Sequence, residues 1–230
     1  MTRMPDMDVS HWVHWHEPYE DPTSPLSMRL RSVQSALRRA LHGARPGPLR
    51  IVSLCAGQGR DVIDVLAEHE RSGDVSALLV ELDPELVAFA RQRAADADVT
   101  AQVSIVEGDA SLCHWYADMV PADLVLVCGV FGNISSDDIA RTIGALPGFC
   151  QPHGSVIWTR HRRQPDATVS IRADFAAAGF VEVSFEAPET YVLAVGHHRF
   201  VGAPPPPGSA AAFDPDRSLF EFIGDGHLPA

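Results

Sequence analysis

The chain of 230 residues carries 18 Lys and Arg against 30 Asp and Glu, a formal charge of −12, with 46% hydrophobic and 21% charged residues. It is long enough to bury a full core with a modest appendage, and its composition is that of a globular protein. The charge argues against a nucleic-acid partner, because such affinity rests on Lys and Arg neutralising phosphates; no apolar run approaches the roughly 18 residues of a membrane span, so no membrane partner is expected.

The first twenty residues are polar and aromatic rather than a signal peptide. Cys55, Cys113, Cys128 and Cys150 are widely separated, with no paired spacing for zinc or redox work. Reduced thiols and a cytoplasmic location are therefore expected. The N-terminal arm is dense in rings: His11-Trp12-Val13-His14-Trp15-His16, then Tyr19. No carboxylate or cysteine completes a metal site there, so no metal is expected, and the arm reads as aromatic packing or a lid over a pocket. Ser24-Pro25 reads as an N-cap with proline at the first helical position. Leu26, Leu30, Val33, Leu37 and Leu41 recur at steps of three and four and Gly43 follows as a stop, so this is a docking helix.

From residue 51 strand and helix patterns alternate. Ile51 to Leu54 is a strand that runs into Cys55-Ala56-Gly57-Gln58-Gly59, and Val62 to Ala67 follows at helical spacing. Val75 to Glu81 is a strand, and Asp83-Pro84 caps a helix to about Ala95. Val103 to Val106 and Leu124 to Cys128 are the third and fourth strands, Asp137 to Leu146 a helix, Ser155 to Trp158 a fifth strand, and Thr168 to Ala178 a helix. Phe180 to Glu186 and Tyr191 to Phe200 then read as an antiparallel pair. The fold expected is α/β: a doubly wound, seven-stranded, mostly parallel sheet with a C-terminal antiparallel hairpin. Residues 1–48 form the arm and docking helix, 49–202 the core, and 203–230 a proline-rich spacer and tail. The apolar tail around Leu219-Phe220 either folds back or reaches a neighbouring chain in a homodimer.

In such a sheet the ligand binds beyond the carboxyl ends of the strands. The first end supplies the glycine loop, whose backbone can approach a ligand closely. The second supplies Glu81, at the position where an acid accepts from ribose hydroxyls; Asp83, two residues on, is better supported as the helix cap. The third supplies Asp109, placed to accept from an adenine amine. The fourth supplies Cys128-Gly129, then Phe131 and Asn133.

With these motifs the sequence resembles the class I S-adenosylmethionine-dependent methyltransferases over residues 49–201. Leu54 to Gly59 is similar to that family's glycine-rich motif, Val80-Glu81-Leu82-Asp83-Pro84 to its ribose motif and Glu107-Gly108-Asp109-Ala110 to its adenine motif. The resemblance implies S-adenosylmethionine (SAM) as cofactor. It places the Cys55, Ala56, Gly57, Gln58 and Gly59 backbone near the amino-acid part, Glu81 and Leu82 at the ribose, Asp109 and Ala110 at the adenine, and Cys128-Gly129 near the methionine moiety. Two positions depart from the pattern: Ser53 stands where the family usually has an acid, and Cys55 where it usually has its first glycine. A nicotinamide dinucleotide site would want a third small residue three positions after Gly59, where this chain has Val62. A catalytically idle cofactor-binding or interaction module is the other alternative.

The acceptor expected is a small molecule attacked through oxygen or nitrogen. Histidines that could serve as base are His11, His14, His16, His114 and His161; His16 and His161, with Asn133 orienting a polar group, are the catalytic candidates. Arg160-His161-Arg162-Arg163 stands out in an acidic chain and could grip a carboxylate or phosphate. Trp15, Tyr19, Phe131 and Arg160 are the candidate substrate contacts.

Overall fold

The computed structural model describes residues 17–188 and 192–223. Its elements in chain order are α1 (Pro25–His42), β1 (Leu49–Leu54), α2 (Arg60–Glu68), β2 (Val75–Glu81), α3 (Pro84–Asp96), β3 (Val103–Glu107), β4 (Ala122–Val127), α4 (Ser136–Phe149), β5 (Cys150–His161), α5 (Thr168–Ala177), β6 (Phe180–Glu186) and β7 (Leu193–Phe200). Short 3-10 turns precede α1 at Glu17–Glu20 and follow β3 at Cys113–Tyr116.

The seven strands form one sheet in the order β3-β2-β1-β4-β5-β7-β6. β1 pairs in parallel with both β2 and β4, so the strand order reverses between β1 and β4 and opens a crevice beyond their carboxyl ends. β7 is antiparallel to both neighbours. The expected pairing of β6 with β7 is present; the sequence did not reveal that β7 also inserts beside β5.

Alternation along the buried strands feeds two cores, as a sheet covered on both faces requires. Ile51, Leu79, Leu124, Leu126 and Ile157 face one layer with Val33 and Leu37 of α1 and Val62, Ile63 and Leu66 of α2. Val52, Val80, Val125, Val127 and Trp158 face the other, with Ile139 and Ile143 of α4 and Phe175 of α5. The helix starts follow their caps: the Ser24 hydroxyl accepts from Ser27 N, Asp83 from Glu85 N and Leu86 N, and Ser135 from Asp138 N.

Several boundaries differ from the sequence reading. β5 begins at Cys150 rather than Ser155, because Cys150 pairs with Ala122 before an irregular step over Pro152-His153-Gly154. α4 continues through Pro147 to Phe149. The proline-rich stretch leads to a strap that folds back, one of the two alternatives that the sequence left open. Phe213 meets Phe149 edge-on at 5.2 Å, and Leu219 and Phe220 are buried in the same core as α4. Gly148 makes room for this, since a Cβ there would overlap the Phe213 amide nitrogen and the Ala211 carbonyl. The strap forms bridges Leu112–Ser218 and Ile134–Phe222, and its Leu219 carbonyl accepts from Arg141 Nε and Thr142 Oγ1. Within the described residues the tail thus folds back onto its own chain.

Candidate active site

The loop after β1 turns sharply. Cys55, Gly57 and Gly59 have φ of 51°, 55° and 67°, in the left-handed region that favours glycine. Cys55 therefore holds a backbone conformation more usual for glycine. The loop is stitched to its surroundings by Ala56 N donating to Val80 O at 3.0 Å and Gly59 N to Ala56 O at 2.9 Å. At Gly59 a Cβ would lie 2.6 Å from Ile63 Cδ1, so the loop also needs glycine for close packing of α2.

Glu81 ends β2 and reaches back to this loop. Its Oε2 accepts from Gly57 N at 2.7 Å, and its Oε1 from Leu82 N at 2.9 Å and Asp83 N at 3.0 Å. Burial raises its pKa above the ordinary carboxylate value, and the three N–H donors oppose that. Three bonds leave a carboxylate with lone-pair capacity for a ligand hydroxyl. Asp83 is engaged as the α3 cap, which separates the two acids as the sequence suggested. Asp109 Oδ1 accepts from Ser111 N at 2.9 Å, while Ala110 is buried and its carbonyl accepts from Tyr116 Oη at 2.8 Å. Leu82 is 44% exposed beside Glu81. Burial, then the Glu81 and Asp109 carboxylates, push the Cys55 thiol well above its usual range, so these three residues converge on one place. Gln58 is buried, its Oε1 accepting from Arg60 Nε at 2.6 Å.

Beyond β4, Cys128 and Gly129 are half-buried, and Gly129 N donates to Thr159 Oγ1 at 2.9 Å. Asn133 donates from Nδ2 to Gly129 O at 2.6 Å and from its backbone N to Val130 O, and its carbonyl accepts from Ile223 N. Asn133 thus holds the loop and the strap. Phe131, expected as a substrate contact, turns into the core instead. It is fully buried, its ring 6.0 Å from Trp158 and 6.5 Å from Phe175, because the loop drops one apolar side chain into the core.

Arg160 and His161 end β5 beside Gly132, with Arg160 Nη1 and His161 Nε2 2.8 Å apart. A guanidinium has no lone pair, so it donates, and the imidazole proton must sit on Nδ1. The one basic nitrogen of His161 is thus engaged. Burial, then Arg160 and Arg163, lower its pKa. In this arrangement His161 presents an N–H from Nδ1 rather than a lone pair. Among the described residues no group of three His, Cys, Asp or Glu could hold a metal ion. His16, Trp12, Trp15, His11 and His14 lie outside the described residues, as does Tyr191.

A cluster at the glycine loop was missed by sequence reasoning. Arg29 of α1 is buried, and Tyr19 Oη lies 2.5 Å from its Nη2. Arg60 stands over the Tyr19 ring at 5.4 Å. Asp61, buried in the first turn of α2, has its pKa raised to about 6 by desolvation, with Arg29 opposing. The signal was an arginine in line with Val33 and Leu37 on the apolar face of α1.

No protein-family model and no curated protein matches the sequence. Solved structures do match. Magnesium protoporphyrin IX methyltransferase from Synechocystis PCC 6803 with bound SAM covers 86% of this chain and 100% of its own, at 13% identity and TM-score 0.63. This is the class I SAM-dependent methyltransferase fold. An O-methyltransferase family protein from Burkholderia thailandensis covers 85% of this chain and 62% of its own at 18% identity and TM-score 0.62. An RNA methyltransferase from Salinibacter ruber in complex with S-adenosylhomocysteine covers 76% and 94% at 20% identity and TM-score 0.51. On the methyltransferase fold, the loops after β1, β2, β3 and β4 that carry Gly57, Glu81, Asp109 and Gly129 stand along one edge of the sheet.

Proposed function

We propose that the chain is a SAM-dependent methyltransferase acting on a small-molecule acceptor through an oxygen or nitrogen nucleophile. The observation that carries this reading is Glu81 bonded to Gly57, which binds the second strand end to the glycine loop and leaves acceptor capacity at the crevice. The residues fit the cofactor. Gly57, Gly59 and Gly129 present backbone without Cβ atoms, Glu81 suits ribose hydroxyls, Leu82 offers an apolar surface for a base, and Asp109 an acceptor for its amine. Arg29 and Asp61 supply opposite charges for the carboxylate and ammonium of an amino acid.

When bound, SAM supplies a methyl group on a sulfonium, which an in-line displacement transfers. The chain's part is to hold the acceptor in line and exclude water. Thr159 and Asn133 fix the Gly129 backbone from both sides, so the loop that faces the methyl donor is held rigidly. With His161 and Asn133 engaged, His16 of the arm is the candidate base, and Trp15 and Tyr19 the candidate walls. The charge of −12 supports a small acceptor over a nucleic acid.

Calorimetric titration with SAM, S-adenosylhomocysteine and NAD tests this reading, followed by turnover with labelled methyl groups. Micromolar binding of the first two and none of NAD is expected. Binding of NAD alone, or tight salt-sensitive RNA binding, overturns it; binding of SAM without turnover on any acceptor gives the crevice to an idle scaffold.

A further inference from the structure

We infer that the acceptor carries a carboxylate, held by the free edge of Arg160 and steered by the Nδ1–H of His161. This rests on the reading of the crevice as the cofactor and acceptor site.

Arg160 leaves the end of β5 half-buried, next to the Gly129–Gly132 loop that the methyl donor must face. Other arginines around the fold are matched to acids: Arg162 to Asp166, Arg172 to Glu182, Arg93 to Asp64, Arg60 to Glu20. Arg162, two residues on, also donates to the Ala187 carbonyl. Arg160 has no carboxylate within ion-pair distance among the described residues, and its hydrogen bond there is the one from Nη1 to His161. Burial lowers its pKa, and Asp166, beyond ion-pair distance, opposes that.

The bond to His161 decides which edge is open. With Nη1 engaged, Nε and Nη2 remain, and these two N–H groups point the same way and form the parallel pair that matches a carboxylate. Among the described residues Nε is buried without a partner, and so is Nδ1 of His161, which carries the proton. Unmade bonds from buried donors are costly, so both are drawn towards a ligand that accepts. The pair brings one positive charge and neutral donors, since His161 is held unprotonated. That suits a monoanionic carboxylate better than a phosphate dianion. It also gives His161 a place as a positioning residue: its Nε2 orients the guanidinium.

The test uses the full chain saturated with S-adenosylhomocysteine, whose binding is measured first; if it does not bind, the reading of the crevice fails, not this inference. Benzoate, indole-3-acetate and hexanoate are then titrated beside benzamide, indole-3-acetamide and hexanamide, with inorganic phosphate as a further probe. At least one carboxylate is expected to bind tenfold or more tightly than its amide. Arg160→Gln is expected to remove that preference with S-adenosylhomocysteine affinity within twofold of the parent. If Arg160→Gln does not fold, Arg160→Lys, which keeps the charge and loses the fork, is expected to weaken carboxylate binding at least fivefold. Equal binding of acids and amides, no binding of any acid, tighter binding of phosphate than of every acid, or a preference that survives either substitution overturns the inference.

Discussion

Glu81 Oε2 and the Gly57 amide nitrogen lie 2.7 Å apart, joining the end of β2 to the middle of the glycine loop. One carboxylate thereby shapes the loop and keeps acceptor capacity for a ligand. Replacement of Glu81 by alanine is expected to weaken SAM binding by about 1–3 kcal/mol, the range for a hydrogen bond to a charged group. Asp83→Ala is expected to cost about 1 kcal/mol of stability through the lost α3 cap, with little change in affinity. Calorimetry and urea unfolding on both variants separate the two; the reverse pattern would exchange the roles of the two acids.

Asp109 is tied to the protein by one oxygen, which accepts from Ser111 N. Asp109→Asn is therefore expected to keep the loop and lower SAM affinity roughly 5–50-fold through the lost charge-assisted bond. Unchanged affinity for SAM, measured by calorimetry, would move adenine recognition elsewhere.

Gly148 lies under the strap with no room for a side chain. Gly148→Ala should gain helix propensity on an exposed helix, yet here a loss of about 1–3 kcal/mol is expected because the added methyl forces the strap away. Limited proteolysis within residues 203–223 is expected to speed up in the variant. A more stable variant would show that the strap is not seated on α4.

His197 is buried on β7 with neither ring nitrogen partnered among the described residues, and desolvation, then Arg199, Arg39 and His198, lower its pKa to about 4 from 6.5. Between those values the unfolded chain binds a proton that the folded chain does not. Its contribution to stability therefore rises by about 1.4 kcal/mol per pH unit from pH 4 to 6.5 and is constant above. His198, also lowered to about 4, adds the same, while Asp61, raised to about 6, acts in the opposite sense. His197→Leu is expected to flatten the stability curve by about 1.4 kcal/mol per unit in that window and to raise stability at pH 7 by about 1 kcal/mol. Urea unfolding at pH 4.5, 5.5 and 7 reads both; an unchanged slope would mean that His197 is protonated in the fold.

Removal of residues 1–16 leaves Tyr19 against Arg29. Affinity for S-adenosylhomocysteine is expected to hold within threefold while turnover on any acceptor found is lost. Retained turnover would dismiss the arm as a lid and His16 as the base.

The sheet was legible because its strands are buried on both faces and read as short apolar runs separated by capped helices. The places of Glu81, Asp109 and the glycine loop at successive strand ends were legible because capped helices and apolar runs mark where each strand stops. What was not legible has a common physical form. Phe131 and Asn133 follow a strand end as the glycine loop does, and nothing in their types says that one turns inward and the other bonds its own loop. Arg29 and Asp61 belong to helices distant in sequence, and only packing brings their charges together. β7 entering beside β5 is a long-range pairing choice that local pattern does not encode.

The strap has a consequence for synthesis. Ser218 meets Ser111 across 107 positions, Cys113 N donates to the Arg217 carbonyl, and Ile223 N closes on Asn133. The loops after β3 and β4 thus receive their final hydrogen bonds from residues translated long after them. A nascent chain can assemble the sheet as far as β7 while these bonds still wait for residue 223 to clear the ribosomal tunnel, so the last stitches of the loops come after the sheet itself.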